Sequence, residues 1–269
     1  MFLEHFELKR KPFQPVPDTR ELFQTKAHKE ARARLQIAFD ERLPAMLVGE
    51  AGVGKTTALR AALAELNAKT CRVIEITDPR LKLRSFYRTL AHGLGLEPRH
   101  FFGDLSEQVR EACSASLEQG RFPVLVVDEA HMLPAETLDS LRLLTNPALQ
   151  QKTASVGLLL IGDLALRRNL ARSYFESFVQ RLRVTYSMPP VDPDEARRYI
   201  AHRLRTAGGN PDIFDPAAVD AIVAEADGRL RRLDDLSTHA LYAAFIRKAK
   251  VVGKDHVQEV LEERRSTRG

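Results

Sequence analysis

The sequence predicts an α/β protein in which a parallel five-stranded sheet lies between helices and is followed by a small, all-helical domain. Two observations predict this class. From Pro44 onward, short apolar runs alternate with longer stretches of helical periodicity, which is typical of a parallel sheet covered on both faces. After Met188-Pro189-Pro190 the strand-like runs stop, and only helical patterns follow. We therefore expect an α/β core with an N-terminal arm over residues 1–190 and a helical lid domain over residues 191–269.

The individual elements follow from the same patterns, taken in chain order. A proline-rich arm from Lys11 to Pro17 precedes an amphipathic helix over Glu30–Asp40. Short apolar runs predict strands at Ala45–Gly49, Arg72–Thr77, Pro123–Asp128, Ser155–Gly162 and Leu182–Tyr186. Helical periodicity between and after these strands predicts helices at Lys55–Ala68, Leu83–Gly93, Leu105–Glu118, Ala135–Leu144, Pro193–Thr206, Pro216–Ala226, Leu230–Ala249 and Lys254–Glu263.

The composition is that of an ordinary globular protein, with 44% hydrophobic and 29% charged residues in 269, and it excludes disordered and collagen-like classes. Cys71 and Cys113 are too few and too far apart for a disulfide framework, which favours a reduced, cytoplasmic location. The longest apolar stretches, 123–127 and 156–162, are far shorter than the roughly 20 residues of a membrane-spanning helix. We therefore expect no membrane partner. The N-terminus carries an early acid, Glu4, and no basic region followed by an apolar block, so we expect no secretory signal.

The net charge of +5 is distributed unevenly along the chain. Residues 191–269 contain 14 basic and 14 acidic residues, so the whole basic excess lies before residue 191. This excess is compatible with a polyanionic partner of the first domain but does not identify one.

A glycine-rich phosphate-binding motif follows the first predicted strand. It matches the pattern G-x-x-x-x-G-K-[ST] and stands between a strand and a helix, as the motif requires. Glycines let backbone N–H groups surround phosphate oxygens, Lys55 reaches the outer phosphates, and the Thr56 hydroxyl binds Mg²⁺. The sequence thus predicts that ATP and Mg²⁺ are bound by the residues Gly49, Glu50, Ala51, Gly52, Val53, Gly54, Lys55, Thr56 and Thr57.

A second acidic motif ends the apolar strand from Val124 to Val127. We expect Asp128 to hold Mg²⁺ and Glu129 to polarise the water that attacks the terminal phosphate. The string continues as Ala130-His131, giving D-E-A-H, but a two-lobed helicase needs a second sheet domain that this chain lacks.

With these motifs the sequence resembles the AAA+ ATPases, and within them the ExeA type. The resemblance also covers several stretches outside the two motifs, and it extends to the MuB and TniB ATPases that assist transposases. The matching stretches are Phe2–Leu8, Pro12-Phe13, Pro17-Asp18, His28–Ala31, Leu158–Asp163, Gln180–Leu182, Met188–Pro190, Tyr199–Leu204 and Gly228–Arg231.

The resemblance implies a first sensor at Asp163, where the family usually carries an amide or another neutral polar side chain. An acid at this position implies slow hydrolysis, a protonated or water-bridged carboxyl group, or a slightly different alignment, and these remain open. A simpler interpretation is that Asp163 caps the short helix that follows it.

The resemblance also implies two arginines at the nucleotide. Arg181 matches the arginine finger that reaches into a neighbouring subunit, and Arg183 is the alternative. Arg231 matches the second sensor, with Arg229 and Arg232 as solvated neighbours or alternates. A finger supplied to a neighbour implies a homo-oligomer, either a ring or a helical filament.

For function, the notable feature is the absence of the membrane segment and wall-binding domain that longer secretion proteins carry after this module. On this basis we expect a transposition helper that binds double-stranded DNA and a transposase in an ATP-dependent way, with phosphate contacts from Arg80, Lys82 and Arg84. The alternative is a secretion or envelope-assembly ATPase with a protein partner, which is restored if the sequence is part of a longer protein. A third possibility is a nucleotide switch with little turnover.

Overall fold

A five-stranded parallel sheet forms the centre of the α/β part of the chain. The computed structural model describes residues 1–14, 21–76, 78–145 and 156–266. Within these ranges the strand order is β2-β3-β4-β1-β5, and every pairing is parallel, which confirms the predicted fold class. The strands are β1 (Ala45–Gly49), β2 (Cys71–Ile76), β3 (Phe122–Val127), β4 (Gly157–Gly162) and β5 (Val184–Met188).

Twelve α-helices occur in the described residues. They are α1 (Phe2–His5), α2 (Lys26–Asp40), α3 (Lys55–Leu63), α4 (Leu83–Gly93), α5 (Phe102–Glu118), α6 (Ala135–Leu144), α7 (Leu164–Leu170), α8 (Glu176–Val179), α9 (Pro193–Thr206), α10 (Pro216–Ala226), α11 (Leu230–Ile246) and α12 (Lys254–Ser266).

Several helix boundaries differ from the sequence prediction for local reasons. Helix α2 begins at Lys26, ahead of the predicted Glu30, because the Thr25 hydroxyl accepts the N–H of His28 and caps the first turn. Helix α3 ends at Leu63, before the predicted Ala68, because the N–H groups of Glu65 and Leu66 bond to carbonyls three residues earlier and the Asn67 side chain then accepts the N–H of Lys69 in a turn. The predicted strand ends at Thr77 and Ser155, and the arm from Pro15 to Pro17, lie outside the described residues.

The chain divides into two compact units. One contains residues 30–49 and 55–188, and the other contains residues 1–29, 50–54 and 189–269. In the first unit, the apolar faces of α4, α5 and α6 pack with the sheet around Phe86, Leu105 and Leu141. Strand β1 is buried along its whole length, whereas the edge strands β2 and β5 are partly exposed. Both faces of the central strands are therefore covered, as parallel sheets require.

The second unit is a helical bundle that includes the N-terminal segment. Helices α9 to α12 share a core with Phe6, Leu8 and Phe13, and the Lys9 N–H donates to the Ala207 carbonyl at 2.9 Å. The sequence-based division assigned the N-terminal arm to the α/β core instead. Residues 1–29 group with the C-terminal helices because their aromatic and aliphatic side chains are buried there.

Aspartate caps fix the starts of two of these helices. The Asp192 carboxylate accepts the N–H of Glu195 at the start of α9, and the Asp215 carboxylate accepts the N–H of Ala218 at the start of α10. A proline follows each cap at the first helical position, which is a strong start signal. None of the described helices is both long and apolar enough to cross a membrane.

Candidate nucleotide-binding site

The candidate site lies at the carboxyl ends of three neighbouring strands of the parallel sheet. Strand β4 pairs with β1 on one side and with β3 on the other. Strand β1 ends at Gly49, where the phosphate-binding motif begins, while Asp128 follows β3 and Asp163 follows β4. The crevice outside the carboxyl ends of such strands is where ligands bind in open α/β sheets.

Lys55 is the first residue of α3, and its side chain is buried. Its Nζ donates a hydrogen bond to the Gly49 carbonyl at 2.9 Å. An ammonium group is strongly hydrated, so its burial requires polar partners of this kind. Lys55 is therefore held against the end of β1, where the motif places its charge. Thr57, two residues further along the same helix, is half-buried.

Thr56, which comes after β1 in the chain, and Asp128, which follows β3, lie within hydrogen-bond distance of each other, as the predicted Mg²⁺ site requires. The Thr56 hydroxyl donates to Asp128 Oδ2 at 3.0 Å, and Asp128 Oδ1 accepts the N–H of Glu129 at 2.9 Å. A hydroxyl oxygen and a carboxylate at hydrogen-bond distance are the hard oxygen ligands that Mg²⁺ prefers. These two residues therefore fit the metal that the motif implies.

Glu129 adopts a left-handed backbone conformation, with φ of 52° and ψ of 35°. This region costs a residue other than glycine on the order of 1 kcal/mol, and such residues cluster at functional sites. The carboxylate is 56% exposed, so water can reach it. A strained, accessible carboxylate beside Asp128 has the placement expected of a general base.

Asp163 forms the cap that the simpler interpretation predicts. Its Oδ1 accepts the N–H of Ala165 at 2.7 Å at the start of α7. Its Oδ2 lies 3.7 Å from Nε2 of His131, a residue to which the sequence assigned no role. The string D-E-A-H was the only sequence signal for this histidine, and it does not predict which carboxylates the ring contacts.

The middle of the phosphate-binding motif, residues 50–54, packs against the start of α11. The N–H of Arg231 donates to the Gly52 carbonyl at 3.1 Å, and the Arg229 guanidinium lies 2.7 Å from the Glu50 carboxylate. Gly52 has φ of +84°. Of the remaining motif residues, Val53 is buried and Ala51 is exposed.

The three arginines at the start of α11 have different surroundings. Arg229 pairs with Glu50 and Arg232 pairs with Glu225, whereas the side chain of Arg231 is exposed beside Gly52. Of the three, Arg231 is therefore the one placed beside the motif with an exposed side chain, which fits the position that the resemblance implies for the second sensor.

Arg181 is half-buried and contacts its own chain. Its Nη1 donates to the Arg142 carbonyl at 2.7 Å, near the end of α6, while Arg183 is exposed two residues later. The hydrogen bond occupies the C-terminal carbonyl region of α6, where a cation is favourable. For Arg181 to reach a neighbouring subunit as an arginine finger, this hydrogen bond to the Arg142 carbonyl would have to break. The exposed Arg183 needs no such change.

His28 is a further residue to which the sequence assigned no role. The ring is buried in the first turn of α2, and its Nδ1 accepts the N–H of Thr25 at 3.4 Å. Its Nε2 lies 2.3 Å from where a side-chain carbon on Gly54 would stand. Burial lowers the pKa of His28, which favours the neutral ring. The only sequence signal for this histidine was that it begins His28–Ala31, one of the stretches that carry the resemblance.

The three residues predicted to contact DNA lie between β2 and the first turn of α4, and none of them is buried. Two of them have intramolecular partners. Arg80 lies 3.6 Å from the Asp78 carboxylate, and Arg84 donates to the His100 carbonyl at 2.6 Å. Lys82 precedes α4 as its N-terminal flanking residue.

A parallel sheet with the phosphate-binding and acidic motifs at its carboxyl end is typical of P-loop NTPases, and comparison with known families agrees. A family model described as the AAA domain matches residues 39–170, which include the phosphate-binding motif, Asp128 and Glu129. This match confirms the predicted resemblance to the AAA+ ATPases.

Among curated proteins, the chain is similar to general secretion pathway protein A of Aeromonas hydrophila. The two are 31% identical over 260 residues, which are 95% of this chain and 47% of the relative. The chain thus spans about half the length of that protein, and the similarity supports the predicted ExeA type.

Several solved structures have a similar fold. Aeropyrum pernix ORC1, solved in complex with DNA, has a TM-score of 0.68 at 22% identity, and the match covers 94% of this chain and 69% of that one. Cdc6p of Pyrobaculum aerophilum has a TM-score of 0.69 at 19% identity, and the match covers 90% of this chain and 67% of that one. RuvB of Thermotoga maritima has a TM-score of 0.60 at 17% identity, and the match covers 93% of this chain and 72% of that one. These likenesses show the fold alone.

Proposed function

We propose that the protein hydrolyses ATP and uses the hydrolysis cycle to act on a protein partner in a secretion or envelope-assembly system. The hydrolytic part rests on one observation: the Thr56 hydroxyl and the Asp128 carboxylate are 3.0 Å apart at the carboxyl end of the sheet, with Glu129 next in sequence. This arrangement combines metal ligands with an adjacent candidate base, as phosphoryl transfer to water requires.

In the proposed reaction, backbone N–H groups of the motif and Lys55 bind the ATP phosphates. Thr56 and Asp128 would hold Mg²⁺, which neutralises phosphate charge when it is bound. Glu129 orients the attacking water and accepts its proton. The water oxygen forms a bond to the γ-phosphorus, the bond to the β–γ bridging oxygen breaks, and ADP and phosphate leave.

The partner class rests on the similarity to general secretion pathway protein A, which extends over 95% of this chain. The comparisons support this alternative better than the transposition helper, for which they give no support. Because the chain covers 47% of that relative, the activity of the whole relative is a proposal for this chain. A nucleotide-dependent homo-oligomer is part of the proposal, with Arg181 or Arg183 reaching the neighbouring subunit.

The hydrolytic proposal is tested by phosphate release from Mg·ATP with purified protein. We expect Lys55→Ala to abolish turnover, and Glu129→Gln to lower kcat by about 10²- to 10⁴-fold while ATP still binds. Lys69→Ala, at an exposed lysine outside the motif, is the matched control and should behave as the wild type. Full activity in Glu129→Gln would contradict the role given to Glu129.

Duplex DNA is the second candidate partner, and the accessible positions of Arg80, Lys82 and Arg84 favour it. It is also compatible with the ORC1 structure, in which that protein is in complex with DNA. The two candidates are separated by measuring duplex DNA binding with and without Mg·ATP across a salt series. Binding that weakens steeply with salt and is lost in the triple alanine variant would support DNA. No binding at low salt would support the protein partner.

A further inference from the structure

His131 lies between the candidate base and the acid at the first-sensor position. Its Nδ1 is 3.4 Å from Glu129 Oε2, and its Nε2 is 3.7 Å from Asp163 Oδ2. The ring is 21% exposed, compared with 56% for the Glu129 side chain and 40% for that of Asp163. The imidazole is therefore the most buried member of the three, and it presents one nitrogen to each carboxylate.

The surrounding backbone holds this ring in place. His131 belongs to a short 3₁₀ turn, Ala130–Met132, that directly follows Glu129. The N–H of Asp163 donates to His131 Nδ1 at 3.4 Å, and the Asn169 amide donates to the His131 carbonyl at 3.4 Å. With Nδ1 as an acceptor, the neutral ring has its own N–H at Nε2, which faces Asp163. The turn after β3 and the start of α7 after β4 thus fix the histidine from two sides.

Each carboxylate oxygen of Asp163 has a neighbour in this arrangement. Its Oδ1 caps α7 through the N–H of Ala165, and its Oδ2 faces His131. A carboxylate near a terminal phosphate would repel it, whereas in this arrangement one oxygen of Asp163 faces a ring nitrogen of His131. This gives a physical account of an acid at a position where the resemblance implies a neutral side chain.

We infer that His131 is a positioning residue for ATP hydrolysis, whose ring lies against the Glu129 carboxylate and limits its movement, and which is itself anchored by Asp163. The inference rests on the proposed function, because Glu129 needs orientation only if it serves as the base. Asp163 then acts through the histidine and not by direct contact with phosphate. Loss of the histidine should slow the chemical step without weakening nucleotide binding.

The test compares kcat for phosphate release with the Kd for mant-ATP in His131→Ala, His131→Gln and Asp163→Asn. We expect His131→Ala to lower kcat about tenfold or more, with Kd within about twofold of the wild type. His131→Gln keeps much of the side-chain volume beside Glu129 and should recover part of the loss. Asp163→Asn keeps the cap on α7 but loses the negative charge, so it isolates the contact with His131.

A double-mutant cycle separates this role from a merely structural one. If Asp163 acts through His131, Asp163→Asn should lower kcat in the wild type but have little further effect in His131→Ala. His92→Ala, at an exposed histidine on the last turn of α4, is the control and should leave kcat unchanged.

The two proposals fail in different ways. If the wild type hydrolyses ATP and His131→Ala retains its kcat, or if the two substitutions act additively, the inference is overturned and the proposed function stands. If the wild type binds mant-ATP but releases no phosphate, the proposed function is overturned and the positioning role falls with it.

Discussion

Gly54 shows how one residue of the phosphate-binding motif is dictated by its neighbours as well as by its ligand. Its φ is +102°, a conformation that residues with a Cβ rarely adopt. A side-chain carbon here would lie 2.3 Å from His28 Nε2 and 3.3 Å from Leu230 Cδ1. The phosphate-binding motif requires a glycine here so that phosphate can approach the backbone. The fold adds a second reason, the close packing of His28, which the sequence pattern alone does not show.

We therefore expect Gly54→Ala to lower the free energy of unfolding by about 2 kcal/mol or more, combining left-handed strain with overpacking against His28. The measurement is the urea midpoint of the nucleotide-free protein. Gly103→Ala is the matched control, because nothing lies within 4 Å of the added carbon and the position is in α5. That variant should be unchanged or slightly more stable.

The contribution of His28 can be separated by combining substitutions. In a His28→Ala background the steric contact is removed while the backbone strain remains, so Gly54→Ala should cost less than it does in the wild type. An equal cost in both backgrounds would show that His28 does not constrain Gly54.

At the scale of single residues, the sequence predicted the motif chemistry but not its local partners. Lys55, Thr56, Asp128 and Glu129 follow from patterns in which residue type and spacing encode a role. The contacts of His131 and Asp163 depend on which strands are neighbours. Because β3 and β4 are paired but some thirty residues apart in the chain, no local pattern reports this contact.

At the scale of elements, the bounds of α4, α6, α9 and α10 match the prediction. Helices α9 and α10 each begin with an aspartate cap followed by proline, whereas α4 and α6 have no side-chain cap and were predicted from their apolar periodicity. Helices α1 and α8 were not predicted, because at four residues each they are too short to show a periodicity, and α7 was expected only as the short helix that Asp163 caps, without bounds. The grouping of the N-terminal segment with the C-terminal helices depends on packing between residues that are distant in sequence.

Helices α9 and α11 share a buried polar contact with a consequence for stability. The Tyr199 hydroxyl donates to Asp234 Oδ1 at 2.7 Å, and the Arg203 guanidinium is 3.8 Å from the same oxygen. Burial raises the pKa of Asp234 to about 6, although Arg203 and the Tyr199 hydrogen bond oppose this shift. Arg203 also holds the N-terminal segment, since its Nε donates to the Pro12 carbonyl at 2.8 Å.

The sign of the resulting pH dependence follows from proton binding in the two states. Between pH 4 and pH 6 the folded state retains the Asp234 proton that the unfolded state loses, because the folded pKa is raised above the ordinary value of 3.8. The contribution of this group to stability therefore falls as the pH rises through that window. A shift of about two pH units corresponds to about 3 kcal/mol.

We expect Asp234→Asn to remove this part of the pH dependence while leaving an acceptor for Tyr199. The measurement is the difference in free energy of unfolding between about pH 4.5 and about pH 7.5, from urea denaturation of the wild type and the variant. Glu118→Gln, at an exposed carboxylate at the end of α5, should retain the wild-type dependence. An unchanged pH dependence in Asp234→Asn would contradict the assignment.

At the scale of the whole molecule, the phosphate-binding motif does not follow the division of the chain into compact units. Gly49 and Lys55 belong to the α/β unit, while residues 50–54 group with the helical unit. The sequence predicts the motif as one continuous run and contains no signal of this division. Lys55, Thr56 and Asp128 all lie in the α/β unit, so the binding free energy that they provide stabilises the folded form of that unit.

Mg·ATP should therefore raise the thermal unfolding temperature of the protein. At about 100 times its Kd a ligand stabilises the folded state by about 2.7 kcal/mol, which corresponds to roughly 5–10 °C for a protein of this size. Glu129→Gln should show the full shift because it binds ATP without hydrolysing it. Lys69→Ala, the exposed-lysine control, should shift as the wild type does.

Lys55→Ala separates binding at the motif from other effects of the nucleotide. The variant loses the buried ammonium that contacts the Gly49 carbonyl, and with it the cation that reaches the phosphates. Its unfolding temperature in Mg·ATP should equal that of the nucleotide-free variant. A shift as large as that of the wild type would show that ATP stabilises the chain from another site, and the assignment of the phosphate-binding motif would then be wrong.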